Sequence, residues 1–403
     1  MEKSSYKDIS SLKVSSISYY FAFLCYVLWN ALTQTAFVDV LPEGTYSSIK
    51  TILQGLTVVF ILVKIVSQKY DFKRFIVLSL FGLVALLSFS ITGFSIVTWA
   101  FFFIMAGDEI SIKRLCSIAL VVYIVITIIA VTMSLSGSIP NKVFVRGGVV
   151  RDSYGFNHPN TFGQALLEIS LAISVLRYKK FGAPEFLLIS FFAILTWVLV
   201  DSRTSSLMIF LTAVLFFVFS RPQKYQRSKY TAYVFLTVVV LILIGLSYYF
   251  MLFYSPSNPL HALLNRVLSG RLYFSHGWFT WYPPSLFGTH FGSNVSGVYS
   301  TSGYASSSIM VDNAYSYLTI QFGYLLTLFF IVCIVFVLLQ PITSHLKSKH
   351  NFGKTTVFSL MPENLALVVC LIVGVSEAYV LNFSFNYYLL LIFQLVFSLR
   401  MRK

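Results

Sequence analysis

Long apolar runs separated by short polar and charged interruptions organise this chain. The runs fall near 14–34, 50–67, 75–91, 93–107, 115–134, 160–177, 184–201, 204–220, 231–253, 313–338, 359–377 and 379–399. Most approach the roughly 20 residues a helix needs to cross a hydrocarbon core, and none shows the ten-residue alternation of a membrane strand. The pattern predicts an all-α, polytopic membrane protein of about twelve transmembrane helices, one transmembrane domain over 1–403. Two connecting segments, 136–159 and 254–312, are too long for simple turns, and loops of that size are uncommon unless functional. There is no internal repeat of the kind that secondary transporters often carry.

Composition removes the competing classes. A chain of 403 residues would suit two or three soluble domains, but 57% hydrophobic and 11% charged residues leave too much apolar surface for water to tolerate. Forty Phe and 25 Tyr exclude a disordered chain. The net charge of +15 is dispersed in doublets and triplets between apolar runs, which marks topology rather than nucleic-acid binding, and no nucleic-acid partner is expected. Cys25, Cys116, Cys333 and Cys370 all fall inside predicted spans without C-x-x-C spacing, so neither a disulfide framework nor a zinc site is expected. The polar stretch Met1–Lys13 precedes a span with no cleavable small-residue site, so that span is expected to stay as an anchor.

Positive charge sets the expected orientation. With both termini cytoplasmic, the segments 68–74, 108–114, 177–180, 221–229, 347–354 and 400–403 share the inner side. Lys64 lies within a span, and the outer face keeps Lys50, Lys142, Arg146, Arg151, Arg203, Arg266 and Arg271. The inner set is two-thirds lysine, whereas five of these seven outer residues are arginine. Topology needs only charge, so outer arginines placed against the insertion bias point to a ligand that takes planar bidentate donors, such as phosphate or carboxylate.

Four outer stretches carry candidate chemistry. The first loop ends with Arg146, Arg151 and His158-Pro159-Asn160; Asn160 is a good helix N-cap, and a helix start flanked by arginines suits an anion. The same residues would also serve as cap and headgroup anchors. Asp201-Ser202-Arg203 forms a tight outer turn, where Arg203 either snorkels beside its acid or faces the outer cavity. In the second loop Arg266 and Arg271 are five apart, so on one helix they diverge by about 140° and need not share a ligand. His276 and His290 follow, with Trp278, Trp281 and Tyr282 as either interfacial belt or sugar platform. Asp312-Asn313 closes that loop, and Asp312 is its only carboxylate, either a helix cap or a general base. The other outer acids are Asp39, Glu43, Asp152, Asp201 and Glu377. No Asp-x-Asp pair is present, so neither metal nor cofactor is expected. Glu168, about two turns into the sixth predicted helix, is an intramembrane acid and a functional candidate on that ground.

The run Arg151-x3-Gly155-x2-His158-Pro159-Asn160-x2-Gly163, then Asp201-Ser202-Arg203-Thr204-Ser205, Phe287-Gly288, and Asp312-Asn313-x-Tyr315-x-Tyr317-Leu318 with Gly323 resembles the O-antigen polymerase and ligase superfamily. Within it the chain is most similar to the Wzy-type polymerases of capsule and exopolysaccharide biosynthesis. The resemblance covers helices five to ten and extends elsewhere only by hydropathy. Some such polymerases carry Arg-x10-Gly in both large loops; Arg266 to Gly277 fits, while Arg151 to Gly163 is one residue longer. The ligases usually have a histidine where this chain has Asp312.

The resemblance implies a GT-C-like, metal-independent glycosyltransferase of the bacterial plasma membrane. It would join oligosaccharide repeat units carried on undecaprenyl diphosphate at the outer leaflet, alongside a flippase and a chain-length regulator. Arg146, Arg151, Arg203, Arg266 and Arg271 would then hold the diphosphate, and Asp312 and His158 would handle the proton. His276, His290, Asn160 and Asn313 would orient sugars. Two rivals remain: a ligase moving finished glycan to another acceptor, and a lipid-linked oligosaccharide flippase. A flippase would have short external loops and charged spans, the reverse of what is seen here.

Overall fold

The computed structural model describes residues 14–68, 70, 72–93, 95–146, 148–221, 226–289, 311–352, 358 and 360–392. The protein is mostly helical. Its first half runs α1 (Val14–Thr33), a single turn α2 (Phe37–Val40), α3 (Glu43–Ser67), α4 (Phe72–Thr92), α5 (Ile96–Met105) and α6 (Ile112–Leu135). A two-stranded hairpin follows, β1 (Val143–Arg146) and β2 (Val149–Asp152), then α7 (Pro159–Arg177), α8 (Ala183–Val200), α9 (Arg203–Phe219) and α10 (Gln226–Phe253). The remainder comprises α11 (Pro259–Val267), α12 (Arg271–Trp281), α13 (Ala314–Phe322), α14 (Tyr324–Phe352), α15 (Pro362–Val373) and a last turn, α16 (Leu390–Ile392).

Among the described residues six helices are long and apolar enough to cross a membrane: α3, α4 from Phe75, α6, α8, α10 from Arg227 and α14 as far as Lys347. Their outer faces suit lipid. On α8, Leu187, Phe191, Ile194 and Val198 are exposed at i, i+4, i+7 and i+11, while Ile189, Ala193, Thr196 and Val200 repeat the same spacing on the buried side. Water would penalise such a surface, and hydrocarbon does not. By contrast α7 and α15 are buried on nearly every side and form the centre of the bundle. The interior of α7 includes Gln164, Glu168, Ser170 and Ser174, which keeps its hydropathy below that of the lipid-facing helices.

Five expected elements take a different form, two loops and three spans. The loop 136–159 holds the β-hairpin, an exception to the all-α reading, and 254–312 holds α11 and α12. The expected span 313–338 is broken at Gly323, between α13 and α14. The expected span 359–377 becomes the twelve-residue α15, about 18 Å long, and the described part of 379–399, as far as residue 392, is mainly irregular chain with 3-10 turns at Ala378–Leu381 and Tyr387–Leu389. Non-helical backbone survives at membrane depth only where protein satisfies it. Here Asn382 accepts from the Ser384 N–H at 3.0 Å and from the Tyr26 hydroxyl at 2.8 Å, and donates to Asn30 at 2.8 Å, while the Asn386 amide donates to the Val380 carbonyl at 3.0 Å. Asn and Ser side chains compete with the helical ladder for backbone partners, which a hydropathy average over the neighbouring Phe and Tyr does not register.

The break at Gly323 is a close approach of two chain segments. Gly323 has φ +89° and Gly288 φ +109°. The Tyr324 N–H donates to the Ser285 carbonyl and the Leu325 N–H to the Leu286 carbonyl, both at 3.1 Å. A Cβ on Gly323 would overlap the backbone of Leu286 and Gly288. Gly323→Ala is therefore expected to cost about 3 kcal/mol or more, from left-handed strain plus overlap with backbone that cannot rotate away. Yield of monodisperse protein from detergent extracts measures this, and an undiminished yield would contradict it.

Candidate functional site

Strand periodicity collects the first charged residues. The hairpin pairs Phe144 with Arg151 and Arg146 with Val149, so Phe144, Arg146 and Arg151 share one face. Gly148, at φ +81°, supports the turn. That face lies on the ends of α7 and α8. The Phe144 ring meets His158 edge-on, with centroids 4.6 Å apart. Arg151, 3% exposed, donates to the Val200 carbonyl at 2.9 Å and to Asn160 Oδ1 at 2.7 Å. Burial and the nearby Arg146 lower its pKa to about 10, which leaves it charged at neutral pH.

Asp201 joins the hairpin to α9. It ends α8 in the left-handed region, φ +42°, which Asp tolerates better than most residues. Its carboxylate receives Arg146 at 2.7 Å and Arg203 at 3.1 Å. Burial pushes this carboxyl up, but hydrogen bonds from Arg146 and Arg203 outweigh it and hold the pKa below the ordinary value. Arg203, with 61% of its side chain exposed, keeps most of its donors open.

His158, rather than Asn160, is the N-cap of α7. Its Nδ1 accepts from the Asn160 N–H at 3.0 Å, which places the ring proton of the neutral form on Nε2. Burial, then Arg151 and Arg146, push its pKa down to about 4, so near neutral pH it is an uncharged donor. A folded-state pKa below the unfolded value, ordinarily about 6.5, means the unfolded chain takes up the proton first. Stability is expected to fall as pH drops from about 6.5 to about 4, and to change no further through this group below that. His158→Asn, which can still cap, is expected to remove that component from melting curves taken across this pH range in detergent.

The second half of the cluster comes from the far end of the sequence. Arg271 opens α12; its Nε donates to Asp312 Oδ2 at 3.2 Å and its Nη2 to Glu377 Oε1 at 3.0 Å. Asn313, not Asp312, caps α13, accepting from the Tyr315 and Ser316 N–H groups at 3.0 and 2.9 Å. Its amide nitrogen donates to the Val375 carbonyl and to the Ser247 hydroxyl, so the structure employs Asn313 in holding the backbone together. With the cap supplied by its neighbour, the Asp312 carboxylate is free to face Arg271. The Ala314 N–H donates to the Gly374 carbonyl at 2.7 Å, and this tie brings Glu377 within reach of Arg271. Burial raises the Asp312 pKa against the pull of Arg271, and 38% of its side chain remains open.

Glu377 also lies within electrostatic reach of Arg151, so the two halves adjoin at one end of the bundle. Four guanidinium groups (Arg146, Arg151, Arg203 and Arg271) face three carboxyl groups (Asp201, Asp312 and Glu377), so positive charge is in excess by at least one. Such a site can take an anion and still hold a base.

The remaining candidates lie elsewhere. Arg266 is exposed on α11 and makes no ion pair among the described residues. His276 sits 2.9 Å from the Met251 carbonyl through Nδ1, joining α12 to α10. His290 lies outside the described residues. Glu168 is fully buried ten residues beyond His158, about 15 Å along the helix, where it interacts with Tyr387 rather than with the arginines. Glu377 stands out in the structure far more than in the sequence. Its signal was the polar series Ser376, Glu377, Asn382, Ser384 and Asn386 inside an apolar stretch.

No protein-family model matches the chain, and no curated protein or solved structure matches it significantly.

Proposed function

We propose that the protein is a polysaccharide polymerase joining lipid-diphosphate-linked oligosaccharide repeat units at the outer face of a bacterial plasma membrane. The observation that carries this reading is a partly exposed carboxylate, Asp312, on a guanidinium, Arg271, beside three further arginines at the bundle end where both long loops lie. About twelve crossings, a GT-C-like arrangement and cytoplasmic termini belong to the same proposal, supported by the distribution of lysine and arginine.

The chemistry is one displacement. The acceptor hydroxyl oxygen forms a bond to the anomeric carbon of the donor sugar, and the bond from that carbon to the diphosphate oxygen breaks. Asp312 takes the hydroxyl proton, and undecaprenyl diphosphate leaves with the electron pair. Charge gathers on that leaving group, where Arg146 and Arg203 supply open donors and Arg151 supplies a fixed positive field. Arg271 orients Asp312, and Glu377 holds Arg271. His158, uncharged, serves as a hydrogen-bond donor to a sugar or phosphate oxygen rather than as an acid.

The test is reconstitution. Purified protein in liposomes, given lipid-linked repeat units, is expected to yield longer lipid-linked glycans with release of undecaprenyl diphosphate. Transfer only to a different acceptor would make it a ligase. Passage of unchanged donor across the bilayer would make it a flippase. A deletion strain gives the cellular counterpart: single repeat units at the surface support a polymerase, and none support a flippase.

A further inference from the structure

We propose that α11 is a membrane-surface helix, lying in the lipid interface of the leaflet next to the charged cluster, with Leu260, Leu263 and Val267 among the acyl chains and Arg266 at the headgroups. The helix divides cleanly by angle. Leu260, Leu263 and Val267 fall within an arc of about 60° and are 60%, 55% and 71% exposed. The opposite side is the one fixed to the protein. There the His261 ring packs against Tyr249, Phe250 and Tyr254, and Asn265 accepts the Tyr273 N–H at 3.0 Å. The apolar stripe therefore cannot turn inward without breaking those contacts.

What covers the stripe follows from where the helix is moored. Tyr249, 6.0 Å from the His261 ring, is itself 46% exposed and belongs to the last turns of α10, a candidate span whose Leu246 and Phe253 are also exposed. The lipid-facing surface of α10 thus continues onto α11 at the depth where hydrocarbon gives way to headgroups. Three large aliphatic side chains on one nine-residue helix would be unfavourable in water, and burial in acyl chains removes that cost. Arg266 flanks the stripe about 60° beyond Leu263, the placement from which a guanidinium reaches lipid phosphates. This assigns Arg266 to the bilayer rather than to a donor diphosphate. It does not depend on the proposed reaction, or on which way the chain faces in the cell.

Nitroxide labels at Leu263→Cys and Val267→Cys, in protein reconstituted into phosphatidylcholine and phosphatidylglycerol vesicles, test the assignment; the four native cysteines are buried. Collision rates with oxygen and with a water-soluble nickel chelate are compared by power saturation, with Phe253→Cys and Ser257→Cys as lipid and water references. Oxygen is expected to exceed the chelate severalfold at 263 and 267, approaching the value at 253, and a label at Arg266→Cys should report a shallower depth. Chelate collisions dominating at 263 and 267 would place the stripe in water and overturn the proposal. Exclusion of both reagents would also overturn it, because another part of the chain or a second protein would then be the cover.

Discussion

Asp312→Asn is expected to lower polymer formation by about 10²–10⁴-fold, the range associated with loss of a general base. The substitution is isosteric, and Asn313 rather than Asp312 caps α13, so the helix start is left intact. The amide oxygen can still accept from Arg271. What disappears is the ability to take a proton. In the unaltered protein the base must be ionised, and burial has raised the Asp312 pKa. The acid limb of its rate profile is therefore expected above the ordinary carboxylate range, with the rate rising as pH climbs through it. Initial rates of chain extension in liposomes, taken across pH, measure both effects. Near-normal extension by the asparagine variant would remove Asp312 from the mechanism and leave it a partner of Arg271 only.

Arg271→Ala has the largest expected effect on stability. It leaves Asp312 and Glu377 without their shared cation, and removing one partner of a buried ion pair typically costs about 3–5 kcal/mol. Most of that falls on Glu377, whose side chain is 11% exposed, because water screens the more open Asp312. Adding Glu377→Gln removes the uncompensated charge, so Arg271→Ala/Glu377→Gln is expected to recover much of the thermal stability in detergent. Activity is not expected to return, since Asp312 would still lack its orienting guanidinium. A single Arg271→Ala variant as stable as the parent would show that the triad is not what secures the terminal segment to α12.

The same triad shows where sequence reading stops. Arg271 and Asp312 were both legible as charges in one long loop, and Asp312 as the loop's only acid. Their partnership was not, because 41 residues separate them. Glu377, read as another outer acid, lies 106 residues from Arg271, at the junction of two stretches that hydropathy assigns to the membrane. In the first loop, Arg146 and Arg151 stood out by type and place, but their common face depends on a hairpin whose local signal, two Val-rich runs around Gly147-Gly148, the all-α reading passed over. The motif glycines were legible as positions and not as causes. Gly155 at φ +80° abuts the Ala130 carbonyl, Gly163 leaves room for Ser202 and Ser205, and Gly288 and Gly323 face each other.

The sequence by itself determined that this protein lives in a membrane and is built mainly of helices. It also placed an arginine-rich set between the apolar runs. These are consequences of composition and local periodicity, which each segment carries alone. Only the tertiary structure decided that Asn313 relieves Asp312 of capping, that His158 takes the cap from Asn160, that Arg266 stands apart from the other arginines, and that an irregular buried segment delivers Glu377. Each of those outcomes is a competition for a hydrogen bond or a charge between groups distant in the chain, and distance along the chain carries no information about which partner wins.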